Sequence, residues 1–179
     1  DADDSTGGND QISLGNGNTD IIGGAGTDTI ETGDGIDRVL GDHGAMDYHT
    51  DGTLIKIQSS LTNLGAQDFI TVHGGDTYVI AGSGDDEVTT SGDFDDYVLG
   101  DHGVITWDNA GVITQMKSES LDQGGNDILR LADGDHWVIG GFGLDQIFAG
   151  EGRDIVLGDN GTATFTAGIL TRIESTDAD

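Results

Sequence analysis

The chain has 179 residues, with 34 acidic against 6 basic side chains and a formal charge of −28, so polyanionic partners such as nucleic acid are excluded and cations are favoured. It contains 32 glycines and neither cysteine nor proline, which rules out a disulfide framework and a thiolate metal site. No apolar run reaches membrane-spanning length, no signal-peptide pattern stands at the amino terminus, and membrane insertion is not expected.

In chain order, STGGNDQIS (5–13), LGNGNTDII (14–22), GGAGTDTIE (23–31), TGDGIDRVL (32–40) and GDHGAMDYH (41–49) follow one another as nonapeptides. The segment TDGTLIKIQSSLT interrupts them, and the pattern restarts at Asn63 and again at Asp122. In the second set one extra residue, Thr90, precedes SGDFDDYVL. The chain therefore reads as a short lead, 1–4, and three modules, 5–62, 63–121 and 122–179, forming one continuous array.

The grid is too regular for chance or for a disordered acidic tail. The eighth place is apolar in all fifteen blocks, and the fourth is glycine in thirteen, the exceptions being Ala66 and Phe94. An apolar residue at fixed spacing predicts a short strand facing a core, and the glycine predicts a turn. The ninth place is apolar in the second and fourth blocks of each module (Ile22, Leu40, Ile80, Leu99, Ile139, Leu157), while most others are polar there. This alternation predicts that one physical coil takes two blocks, with odd and even blocks on opposite sides and an apolar stripe outside one of them.

Aspartate holds the sixth place in the first, third and fourth block of every module: Asp10, Asp28 and Asp37, then Asp68, Asp86 and Asp96, then Asp127, Asp145 and Asp154. First and third blocks share a side, so Asp10–Asp28, Asp68–Asp86 and Asp127–Asp145 are the expected carboxylate pairs. On the other side the second blocks offer Thr19, Thr77 or His136, so sites there would draw on Asn18, Asp76 or Asp135, or be weaker, or be empty. Fifth blocks carry their carboxylate at the second place, Asp42, Asp101 and Asp159, either as auxiliary ligands, with Asp42 two blocks beyond Asp28, or as structural turn residues. Asp34, Asp93 and Glu151 read as solvated turn residues, as do the scattered histidines. His43 and His102 are matched by Asn160, which argues against an imidazole metal site.

These blocks resemble the repeats-in-toxin family, whose GGxGxDxUx nonapeptide GGAGTDTIE matches at every place. The resemblance implies an all-β fold, a parallel β-roll (β-solenoid) with calcium between its stacked turns. The implied ligands of several Ca2+ ions are the sixth-place aspartates with turn carbonyls, the oxygen-rich set that this hard cation takes. It further implies a secreted, extracellular or cell-surface protein that folds on meeting calcium.

Each fifth block ends in an aromatic, Tyr48, Trp107 or Phe165, followed by a turn and then by TLIKI, VITQM or ILTRI, which predicts a β-hairpin insert per module. A lone hairpin is marginal in water, so the ninth-place stripe is its expected seat. No nucleophile-elbow serine and no HExxH is present, so no catalysis is expected. The leading expectation is a structural module of an adhesin stalk, matrix or filament. Its partners would be calcium and copies of itself or further repeats end to end, because Asp1-Ala2-Asp3 recurs as Asp177-Ala178-Asp179. The alternative is a secretion or glycan-binding domain of a secreted hydrolase or polysaccharide-modifying enzyme.

Overall fold

Nine residues hold one short strand and one glycine turn, and the computed structural model, which describes residues 7–176, is built of little else. The lead 1–4 and the two Asp-Ala-Asp triplets lie outside the described residues. The first module contributes β1 (Gln11–Ser13), β2 (Thr19–Ile22), β3 (Thr29–Thr32), β4 (Asp37–Leu40), β5 (Gly44–Tyr48) and β6 (Leu54–Ser59). The second contributes β7 (Phe69–His73), β8 (Thr77–Ile80), β9 (Glu87–Ser91), β10 (Asp96–Leu99), β11 (Gly103–Trp107) and β12 (Ile113–Ser118). The third contributes β13 (Ile128–Arg130), β14 (Trp137–Gly141), β15 (Gln146–Phe148), β16 (Ile155–Asp159), β17 (Gly161–Thr166) and β18 (Ile169–Ser175).

The strands make three six-stranded sheets. The first, β1-β3-β7-β9-β13-β15, and the second, β16-β14-β10-β8-β4-β2, are parallel, and the chain alternates between them as the odd and even blocks require. Eighth-place residues pair with eighth-place residues, Ile12 with Ile30 and Val39 with Val79, so the apolar set stays on one face. Ile30, Val39, Ile70, Val79, Val88, Val98, Leu129 and Val138 fill the space between the two sheets.

The third sheet, β18-β17-β12-β11-β6-β5, is antiparallel and is made of the three hairpins. It covers the outer face of the second sheet, where Leu40, Ile80, Leu99 and Ile139 meet Ile57, Ile105, Met116 and Phe165. Beside that stripe Tyr78, Tyr97 and Trp137 stack in a column at ring separations of 4.8 and 4.6 Å. Leu99 lies fully within this layer, so Leu99→Ala is expected to cost about 2–5 kcal/mol in denaturant unfolding of the chain.

One expectation needs correction: the fifth blocks are not rungs of the parallel sheets. Gly44–Tyr48, Gly103–Trp107 and Gly161–Thr166 are the first strands of the hairpins, so each module adds four strands to the parallel sheets. The reason lies in their sixth place, where Met46, Ile105 and Ala163 replace the turn aspartate, and Ile105 and Ala163 are buried between the second and third sheets.

At some places the turns stack so closely that a side chain cannot enter. At Gly75, with φ +91°, a β-carbon would collide with the carbonyl oxygen of Gly35 in the turn before. Gly75→Ala is expected to lower stability by about 2–4 kcal/mol, combining left-handed strain with overpacking, in a melt followed by circular dichroism.

Candidate metal centre

Two edges of turns flank the parallel sheets, and they differ in charge. The first edge leads from the second sheet back to the first, and it carries Asp10, Asp28, Asp68, Asp86, Asp127 and Asp145 in one row. The N–H of each donates to Oδ1 of the next: Asp10 to Asp28 at 2.8 Å, Asp28 to Asp68 at 2.7 Å, Asp68 to Asp86 at 2.7 Å, Asp86 to Asp127 at 2.8 Å and Asp127 to Asp145 at 2.9 Å. Every carboxylate from Asp28 onward is thereby oriented by backbone, and its second oxygen is left over. Oδ2 of Asp28, Asp68, Asp86, Asp127 and Asp145 is buried without a hydrogen-bond partner.

These oxygens share a recurrent surrounding. Oδ2 of Asp28 and the carbonyl of Gly41 converge on the point that a β-carbon of Gly23 would take. Asp68 with the Ala81 carbonyl does the same at Gly41, Asp127 with the Gly140 carbonyl at Gly100, and Asp145 with the Gly158 carbonyl at Gly140. A buried carboxylate oxygen without a donor, next to a turn carbonyl, is the kind of oxygen set that a hard cation takes. Among the described residues no three His, Asp or Glu side chains converge on one point, so a cation held here would complete its shell from turn carbonyls.

The titration of this row follows from its packing. Burial, reinforced by neighbouring carboxylates, raises Asp68 to about 8, Asp86 to about 10 and Asp127 to about 7. Burial likewise raises Asp28 and Asp145 above the usual carboxylate range. Without a counter-charge the row resists carrying its full negative charge.

Asp42 and Asp101 join the same edge by a route that the nonapeptide grid hides. The hairpin leaves and re-enters within a single turn, so Asp42 and Asp68 belong to one turn, as do Asp101 and Asp127. The rung after Asp28 is therefore Asp68, 40 residues on, and the row runs unbroken through the modules instead of stopping at isolated pairs. The carboxylates at the second place act as latches across the break. Asp101 accepts from the N–H of Gly125 at 2.8 Å and from that of Phe142, and Asp42 accepts from Ser83 N–H at 2.5 Å. Burial raises Asp42 to about 7 and Asp101 to about 9. Asp159 holds the matching place in the last such turn, at the end of β16.

The second edge dilutes its carboxylates. Asp37, Asp96 and Asp154 alternate there with Thr19, Thr77 and His136, so no sixth-place carboxylate follows another. Asp37 Oδ1 accepts from both N–H and Oγ1 of Thr19, at 3.0 and 2.7 Å. Asp154 accepts from His136 N–H at 3.2 Å. Asp96 accepts from Thr90 Oγ1 at 2.6 Å, which gives the extra residue of the second module a partner.

His136 corrects the expectation of surface histidines. It is fully buried, its Nδ1 lies 3.5 Å from Asp96 Oδ2, and its Nε2 lies 3.0 Å from the Ala132 carbonyl. Its sixth place in the block was the signal, because that place is buried in the stack at Asp28, Asp37, Asp68, Thr77, Asp86, Asp96 and Asp127. His102 is buried as well and meets Ser83 Oγ at 2.8 Å, with burial lowering its affinity for a proton. Asp34, by contrast, sits at the exposed surface as expected, accepting from Asn16 Nδ2 at 3.1 Å.

The chemistry available at the first edge is thus retention of hard cations by paired, buried, pre-oriented carboxylates. No helix of the described residues is long and apolar enough to cross a membrane. Compared with protein-family models, with characterised proteins and with solved structures, the chain has no match, so its function is argued from these residues.

Proposed function

We propose that this chain is a calcium-ordered, non-catalytic structural repeat of the repeats-in-toxin type, a parallel β-roll with a hairpin layer, from a secreted bacterial adhesin stalk, matrix or filament. One observation carries the reading: a continuous row of aspartates in which five consecutive buried Oδ2 atoms have no donor. Asp10, Asp28, Asp68, Asp86, Asp127 and Asp145 would hold the ions with the turn carbonyls, and the second edge would bind fewer or weaker ones. Bound calcium would supply the positive charge that the partnerless carboxylate oxygens lack. The chain's own part is to orient the carboxylates from Asp28 to Asp145 through an N–H of the preceding turn and to exclude water by close glycine stacking.

Folding and binding are then one process, because the row exists only when turns far apart in sequence are stacked. Millimolar calcium outside a cell would stabilise the folded form by mass action, and low calcium inside would leave the chain open for export. The test is circular dichroism of the chain in excess chelator and in excess calcium. The same β-sheet signal in both would sink the proposal.

A further inference from the structure

The two ends of the described fold are complementary to each other. Strands β1, β2 and β5 form one edge of the three sheets, and β15, β16 and β18 form the other. In the aspartate row the asymmetry is one of donor and acceptor: among the described residues, Asp145 N–H has no carboxylate after it and the Asp10 carboxylate has no N–H before it. Both ends also expose apolar side chains, Leu144, Phe148 and Ile173 on one and Leu14, Ile22 and Tyr48 on the other.

The joins between modules inside the chain show how such ends meet. There Ile30 pairs with Ile70, Val39 with Val79, and Ile57 with Ile105. Carried one module further, the same register sets Ile147 against Ile12, Val156 against Ile21 and Ile173 against Met46 of a second copy. It also places Arg172 beside Asp47 of that copy, opposite charges as direct cross-strand partners.

A cleft of about 660 Å3 at the β16 end, lined by Leu121, Gly141, Phe142, Leu144 and Asp159 among others, matches this geometry. The corresponding places over Asp42 and Asp101 are filled by Gly65 and Gly124, where a β-carbon would collide with the aspartate carboxylate. Only a glycine fits, and Gly7 stands at that place, three residues before Asp10, in the first turn of the chain.

We propose that a second copy of this chain docks head to tail on the β15–β16–β18 end, with its Gly7 seated over Asp159 and all three sheets continued. This deepens the reading of the chain as a stackable repeat and rests on it. The contact is heterologous and does not close, so further copies extend a filament. Six strands at about 4.8 Å give an axial step of about 29 Å per copy.

The absence of cysteine permits a direct test. Ala45→Cys and Glu174→Cys are made singly, and the two proteins are mixed in calcium under mild oxidation. The register makes these residues cross-strand partners between copies, as Val104 and Gln58 are within the chain. Inside one copy they lie on opposite edges of the hairpin sheet, about 24 Å apart, out of disulfide reach. The expected result is loss of both monomer bands into a mixed disulfide dimer, while a mixture of Ala45→Cys with Thr29→Cys stays monomeric. No mixed dimer above that control, or dimers of Ala45→Cys with itself as the main product, in a sample that circular dichroism shows to be folded, would overturn head-to-tail docking. An unfolded spectrum with calcium would instead refute the calcium reading, so the two failures are distinguishable.

Discussion

Held in chelator at pH 7.5, the chain is expected to lose its β-sheet signal, and on acidification to about pH 4 to recover much of it without any metal. The direction follows from carboxyls whose folded pKa values are raised: Asp42 and Asp127 to about 7, Asp68 to about 8, Asp101 to about 9 and Asp86 to about 10, all by burial first. A group with a raised folded pKa contributes stability that is fully present below the unfolded value, near 4, and lost as the pH rises through the folded value. Each such group is worth about 1.4 kcal/mol per pH unit in that window. Several such groups act in the same direction between pH 4 and 7, against a typical domain stability of only roughly 5–15 kcal/mol. Calcium should reverse the slope, since on the proposed reading cation and proton compete for the same oxygens. Circular dichroism against pH, with and without calcium, should give two curves that diverge most above pH 7. A metal-free chain that is equally folded at pH 4 and pH 8 would contradict the assignment.

Asp86→Asn should act with opposite signs in the two states. Asp86 sits in the middle of the row between Asp68 and Asp127, its Oδ1 accepting from Asp68 N–H and its Oδ2 unpartnered. The amide keeps an acceptor for that N–H and removes one buried charge from the row. Calcium affinity at the adjoining positions should fall by about ten- to a hundredfold, the loss of one anionic ligand worth about 1.4–2.8 kcal/mol. The metal-free chain, however, should become more resistant to alkaline unfolding. Asp37→Asn on the second edge is the comparison, since its neighbour there is Thr19 and not a carboxylate. It should shift calcium affinity several-fold less, as read by calorimetric titration of both variants. Equal effects would show that the two edges bind alike.

Much of this architecture was legible because a period of nine survives any reading frame error. Eighth-place residues of the first four blocks, such as Ile30, Val79 and Leu129, lie between the parallel sheets, those of the fifth blocks went to the hairpins, and the apolar ninth place of even blocks is where the hairpin layer rests. What stayed hidden were joins made at a distance. Asp28 looks two blocks along the chain to Asp42, yet the rung above it is Asp68, because the hairpin is spliced into the middle of a turn. His136 likewise looks like one of several scattered histidines until stacking buries it beside Asp96.

The sequence by itself determined the local units, meaning where strands and glycine turns fall and which places carry carboxylates, since those follow from backbone sterics and from alternation over a few residues. Only the tertiary structure decided that the aspartate row is continuous on one edge and diluted on the other. Register between strands 18 or 40 residues apart is set by the packing of whole sheets, and no single block records it.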